Sequence, residues 1–140
     1  MHVEIFTLCD AATVDAGGKM SLLGSFDRIN SRRAPVVHAN CAVAIKMRFA
    51  QVESGPKRVR VSFITTDGVQ VMPAMDLPAV VQIGNGESSA TLCLILLIPQ
   101  ITLPDFGEYS IDLAVDGRHE ASLPLIARQI PGTPPALLEG

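Results

Sequence analysis

Three groupings in this chain hold side chains of catalytic or ligating type, and each is limited by the geometry of its surroundings. His38 and Cys41 are both metal-ligating types. They stand three apart in a stretch that reads as a strand, where such positions point to opposite faces, so they do not share an ion. A structural zinc site needs four ligands at short paired spacings, and none are present. His119 and Glu120 lie beside Asp116 at a turn signal. No nucleophile elbow or Cys/His signature accompanies them, and they read as a solvated turn. Gly17, Gly18 and Lys19 with Ser21 carry the residue types of a phosphate loop. The leading glycine is missing, and a strand follows where a helix N-terminus is needed. The expectation is no catalytic residue, no bound metal and no cofactor.

Two acids and four cations remain. Asp10 and Asp27 fall within otherwise apolar runs, where a buried carboxylate would mark a site. Surface acids paired with Arg28 or Lys19 are the commoner outcome, and that is the expectation. Lys46 and Arg48 lie on one run, Arg58 and Arg60 on the next. If those runs form a hairpin, the register that keeps their apolar residues together sets Arg48 opposite Arg60. All four cations then share one outer face, and like charges placed opposite each other destabilise a sheet. Acids from a neighbouring strand would offset them; otherwise the face suits an anionic ligand.

The elements that carry these residues are strands. In the 41–49 run the odd positions are Cys, Val, Ile, Met and Phe, and the even ones Ala, Ala, Lys and Arg. Alternation of this kind gives one buried face and one wet face. Further strands are expected over 3–12, 20–29, 36–49, 58–65, 90–98, 109–115 and 119–127. The first two pair as a hairpin across the Gly17-Gly18 turn. The 69–83 stretch is extended, but Pro73 and Pro78 cannot donate ladder bonds, so it belongs at a sheet edge or between sheets. In the closing hairpin, a three-residue loop over 115–117 sets Ile111 opposite Ala121 and keeps apolar residues on one face, unlike a two-residue turn. Seven to eight strands with frequent turns make an all-β fold, an antiparallel two-sheet β-sandwich, with a small closed barrel as the competing architecture. One domain over 1–128 and a loose tail over 129–140 are expected.

Composition narrows the function. A chain of 140 residues with 48% hydrophobic content suits a single packed domain. Aromatic residues make up only 4%, and tryptophan is absent, which is thin for stacking sugars or bases. A net charge of −3 gives no general attraction to nucleic acid or to anionic membranes. The N-terminus lacks a basic region before an apolar run, and the 92–98 run is too short to cross a bilayer. Three widely spaced cysteines read as free thiols in a reducing cytoplasm.

Three segments resemble an uncharacterised family of small bacterial proteins, a domain of unknown function. They are Leu8-Cys9-Asp10-Ala11-Ala12, the 18–27 run from Gly18 to Asp27, and Gly107-Glu108-Tyr109-Ser110-Ile111 with Val115-Asp116-Gly117. The resemblance implies a bacterial, single-domain, immunoglobulin-like sandwich with no assigned catalytic residues.

Protein association is the function expected on these grounds. In the 90–98 run both parities are apolar: Leu92, Leu94, Leu96 and Ile98 fill one face, Cys93, Ile95 and Leu97 the other. A sandwich core needs only one of them, so the second must also be covered. The expectation is a non-enzymatic homo-oligomer, a homodimer first, with Cys93, Ile95 and Leu97 at the contact and an unidentified protein partner as a further option. The competing expectation is an anionic ligand on Lys46, Arg48, Arg58 and Arg60.

Overall fold

The computed structural model describes residues 1–132. They form nine strands: β1 (His2–Val14), β2 (Met20–Ser25), β3 (Arg28–Ser31), β4 (Val36–Ala50), β5 (Gly55–Thr65), β6 (Met75–Val81), β7 (Ser89–Leu103), β8 (Gly107–Val115) and β9 (Arg118–Gln129). The only helical piece among the described residues is one 3-10 turn, Gln51–Glu53. The strands make a four-stranded sheet in the order β2-β1-β4-β7 and a five-stranded sheet in the order β3-β9-β8-β5-β6.

Alternation drives the packing. Val43, Ile45, Met47 and Phe49 of β4 face Val59, Val61 and Phe63 of β5 and Ile111 and Leu113 of β8 in one shared cluster. Burial of such side chains contributes about 1.5–3 kcal/mol each, which makes this interlayer the main stabilising element. No charged or polar side chain is buried in it among the described residues. β6, with Pro78, is the outermost strand of its sheet, the edge position expected of a proline-bearing segment.

Four expectations need correction. The sheets are not wholly antiparallel, because β3 pairs parallel with β9. The 20–29 run is two strands, not one, so the count is nine. Gly24 adopts φ +67, and the chain crosses from one sheet to the other at Phe26 and Asp27. Phe26 N–H still donates to Leu8 O in the first sheet, while Asp27 O already accepts from Ile126 N–H in the second. The runs carrying Arg48 and Arg60 are not hairpin partners. β4 lies between β1 and β7, and β5 between β8 and β6, so the 3-10 turn connects two sheets instead of two neighbours. The even face of β4 is also not wet throughout: Ala42 and Ala44 are buried against Cys9, with Ala12, Met20 and Leu22 of the first hairpin packed over them.

The closing hairpin satisfies two demands at once. Val115 faces Arg118 across a two-residue Asp116-Gly117 turn, not the three-residue loop that the apolar pattern favours, and Asp116 takes φ 50. An unbroken two-residue register would bring Glu120 to the core face. A bulge prevents this: Ala114 faces His119 while Leu113 faces Ala121, leaving Glu120 unpaired, and beyond it Ile111 faces Leu123. β9 then runs through Gln129, and Ile130 N–H donates to Ser31 O, so the 129–140 tail begins as ordered chain. Residues 133–140 of that tail lie outside the described residues.

Phe63 is fully buried between the sheets. Phe63→Ala should lower unfolding free energy by about 3–5 kcal/mol in urea titration, with the slope unchanged. A loss below about 1 kcal/mol would contradict a core shared by the two sheets.

Candidate functional site

The four cations do not form one face. Lys46 and Arg48 project from the outer side of the four-stranded sheet, Arg58 and Arg60 from the five-stranded sheet on the opposite side of the molecule. Each group meets local acid. Glu4 is the extra residue where the β1–β4 register shifts between Val3 and Ile5. A bulge of this kind re-aims a side chain. Its carboxylate accepts from Arg48 Nε at 2.6 Å and lies 3.6 Å from Lys46 Nζ, while Arg48 Nη1 donates to Ser89 Oγ at 3.0 Å. Arg60 faces Asp76 across the β5–β6 pair, with Nε 3.6 Å from the carboxylate. Arg58 uses its backbone N–H, which donates to Asp116 Oδ1 at 2.9 Å.

Both candidate acids lie at the surface, and Asp27 has the expected cation beside it. Asp27 is exposed, 3.9 Å from Arg28. Asp10 is exposed, and its carboxyl lies close over Gly24, where an added Cβ would clash with Oδ2. The His38 ring meets that of Phe26 at a tilt of 50°, with 4.9 Å between centroids, while Cys41 points into the core. Asp15 closes the first turn by accepting from the N–H groups of Gly17 and Lys19.

One grouping was not legible in sequence. The bulge at Glu120 brings His119 to the same outer face as Ser122, although a regular strand would separate residues three apart. His119 Nε2 lies 2.7 Å from Ser122 Oγ, and Ser122 and Ser110 both donate to Asp112 Oδ1, at 2.9 and 2.6 Å. These are the residue types of a nucleophilic triad in another order. The carboxylate holds the serine proton directly, and it reaches His119 at the same Nε2 that faces the serine, 3.9 Å away. A hydrolytic triad needs the acid on the far ring nitrogen and a serine proton directed at the imidazole. The cluster is therefore a hydrogen-bonded surface network and not an activated nucleophile. Its only sequence signal was the mismatch between the turn and the apolar pattern.

Two concavities accompany these residues. A cleft of about 340 Å³ opens where the chain changes sheets, lined by Thr7, Ser25, Phe26, Asp27 and Pro124 among others. Its two hydroxyls already bond to each other. A groove of about 310 Å³ lies between Asp10–Ala12, Asn40–Ala42 and Leu97–Pro99, and its lining is chiefly apolar. It forms where Asn40 takes φ 53 and interrupts the β4–β7 pairing.

Of the three residues expected at a contact, Ile95 packs on the Ala42–Ala44 cluster, Cys93 is half-buried, and Leu97 stands 73% exposed. Burial raises the Cys9 thiol above its ordinary value and pushes Cys41 up to about 11. All three cysteines are free. Iodoacetamide at pH 8 should therefore modify Cys93 of the native protein at high dilution and spare Cys9 and Cys41, as read by peptide mass spectrometry. Equal labelling of all three would contradict this burial.

Glu4 supplies a pH test. The hydrogen bond from Arg48, more than any other influence, holds its carboxyl below the ordinary 4.5. A depressed folded value means the contribution is complete above the unfolded value and is lost as pH falls through the folded one. Glu4→Gln should lower Tm at pH 7, and the gap from the parent should shrink as pH falls below the ordinary 4.5. A gap independent of pH would mean the charge is not what matters.

No helix among the described residues is long and apolar enough to cross a membrane. No curated protein matches the chain. Residues 4–128 match the family of unknown function DUF6941, a span that takes in all but the ends of the two sheets, and the chain belongs to that family.

Proposed function

We propose that this chain is a non-enzymatic protein that works by protein–protein association, first of all with a second copy of itself. The observation that carries the reading is Leu97, 73% exposed on the outer side of a fifteen-residue strand without a single charged residue. Cys93 and Ile95 share its parity and extend the patch toward the covered Ala42–Ala44 cluster. Contiguous apolar area marks association surfaces, and Leu97 is continuous with Ile95 and with the apolar groove beside Ala11, Ala12 and Pro99. Closed two-fold dimers are the commonest use of a surface of this kind. The four-cation ligand face has lost its support, because Glu4 and Asp76 sit against its members and the two halves point apart.

The same reading places the protein in a reducing bacterial cytoplasm, consistent with three free thiols. It also treats the two facing sheets as an immunoglobulin-like sandwich, from which the parallel β3–β9 pair departs. A non-enzymatic role is supported by the polarity of the Ser122–His119 network and by a core without buried polar side chains among the described residues.

The test is sedimentation of Leu97→Lys beside the parent. Removing one buried leucine from each side of a two-fold contact should weaken dimerisation by about a hundredfold or more. The β-sheet circular dichroism and Tm of the variant monomer should match those of the isolated parent chain. A parent that stays monomeric at high micromolar concentration would end the proposal.

A further inference from the structure

We propose that the copies join edge to edge: β7 of one chain pairs antiparallel with β7 of the second, so that two four-stranded sheets become one sheet of eight strands. This rests on the self-association reading above and specifies its geometry.

The four sheet edges differ sharply in how they resist pairing. β3 carries Arg28 and leads into Arg32 and Arg33. β6 carries Asp76 and Pro78. β2 has only six residues and contains Gly24 at positive φ. Charge, proline and shortness are the usual means of blocking an open edge. β7 has none of the three to the same degree: it runs fifteen residues, includes no Asp, Glu, Lys or Arg, and has one proline, Pro99. β4 pairs with it from Ser89 to Leu103 along one side. No described strand is hydrogen-bonded to the other side. Alternate N–H and C=O groups therefore face outward along about 50 Å of strand.

A second copy fits this edge on charge and on shape. Antiparallel self-pairing brings no like charges together, because the strand has none. The register of fullest overlap centres on Leu96 and sets like faces together from Cys93 to Pro99; beyond Pro99 the strand changes face, Ile101 being buried as Ile98 is. Leu96 then faces Leu96, Ile95 faces Leu97 on the outer side, and Leu94 faces Ile98 on the core side. The exposed Leu97 is covered by Ile95 of the second copy. Pro99 falls opposite Cys93 on both sides of the two-fold, three residues from the centre, where its missing N–H can donate no ladder bond.

A single nitroxide tests the register, attached to the thiol that Gln100→Cys introduces in a chain also carrying Cys93→Ser. Gln100 is exposed, and the remaining thiols, Cys9 and Cys41, are buried. In this register each labelled backbone position lies eight residues along from its counterpart, about 27 Å. Pulsed electron resonance on the dimer should give a distance within about 10 Å of that value. A dimer with labels more than about 45 Å apart would overturn edge pairing and leave self-association intact, whereas a monomeric parent would overturn both. Hydrogen exchange on the parent chain decides the case where the label disperses the dimer. Alternate β7 amides should slow by about tenfold or more between dilute and concentrated protein. Concentration-independent exchange along β7 in a protein that dimerises would refute the edge.

Discussion

The constraint on which this molecule depends is parity. Two sheets share one apolar core, so every strand has to deliver its aliphatic residues on the same alternation, and a slip of one residue would turn that strand inside out. The alternation does break: β4 and β7 change face together at Asn40 and Pro99, so that Val36 and Cys41, Ile98 and Ile101 are all buried. Each of the two register shifts instead places a surplus acid in a bulge. Glu4 takes up the extra count between β1 and β4, and Glu120 the one between β8 and β9. Each bulge also rearranges the surface. The first aims a carboxylate at Lys46 and Arg48; the second sets His119 beside Ser122. The surface chemistry of this protein is thus a by-product of keeping its core in phase.

Much of the architecture could be read from residue types. The strand runs, the first hairpin and the edge position of the proline-bearing β6 follow from alternation and turn residues. Sheet membership did not follow. Successive strands with a glycine-containing turn between them usually pair, and the runs around Arg48 and Arg60 look like such a case. The Gln51–Glu53 turn instead carries the chain across the core, with Glu53 accepting from Ala50 N–H to hold it. The parallel β3–β9 pair joins segments far apart in the chain, Arg28 facing Ile126, and no local pattern encodes that. The His119 network was hidden for a related reason, because a bulge reverses the rule by which strand neighbours are assigned to faces.

The small even residues of β4 have a role that hydropathy alone conceals. Ala42 and Ala44 interrupt the outer face with side chains too short to fill it. The β1–β2 hairpin uses that shallow seat, setting Ala12, Met20 and Leu22 over Cys9 and the two alanines. Close packing of this kind tolerates little added volume, so the cover and the seat constrain each other. Ile95 joins this layer and Leu97 stands just beyond it, which makes the end of the intramolecular cover the beginning of the exposed patch.

The parallel pairing of β3 with β9 has a consequence for how the chain is made. A ribosome releases β3 well before β9, so the five-stranded sheet has no means of completing itself until β9 has emerged. Until then β8 lacks the neighbour that covers one of its sides, and β3 has nothing to pair with at all. Long-range pairings of this sort fold slowly and leave open strands in the interim. Products truncated before Arg118 would retain every strand of the other sheet yet lack the piece that seals this one, which marks them as substrates for chaperones and proteases.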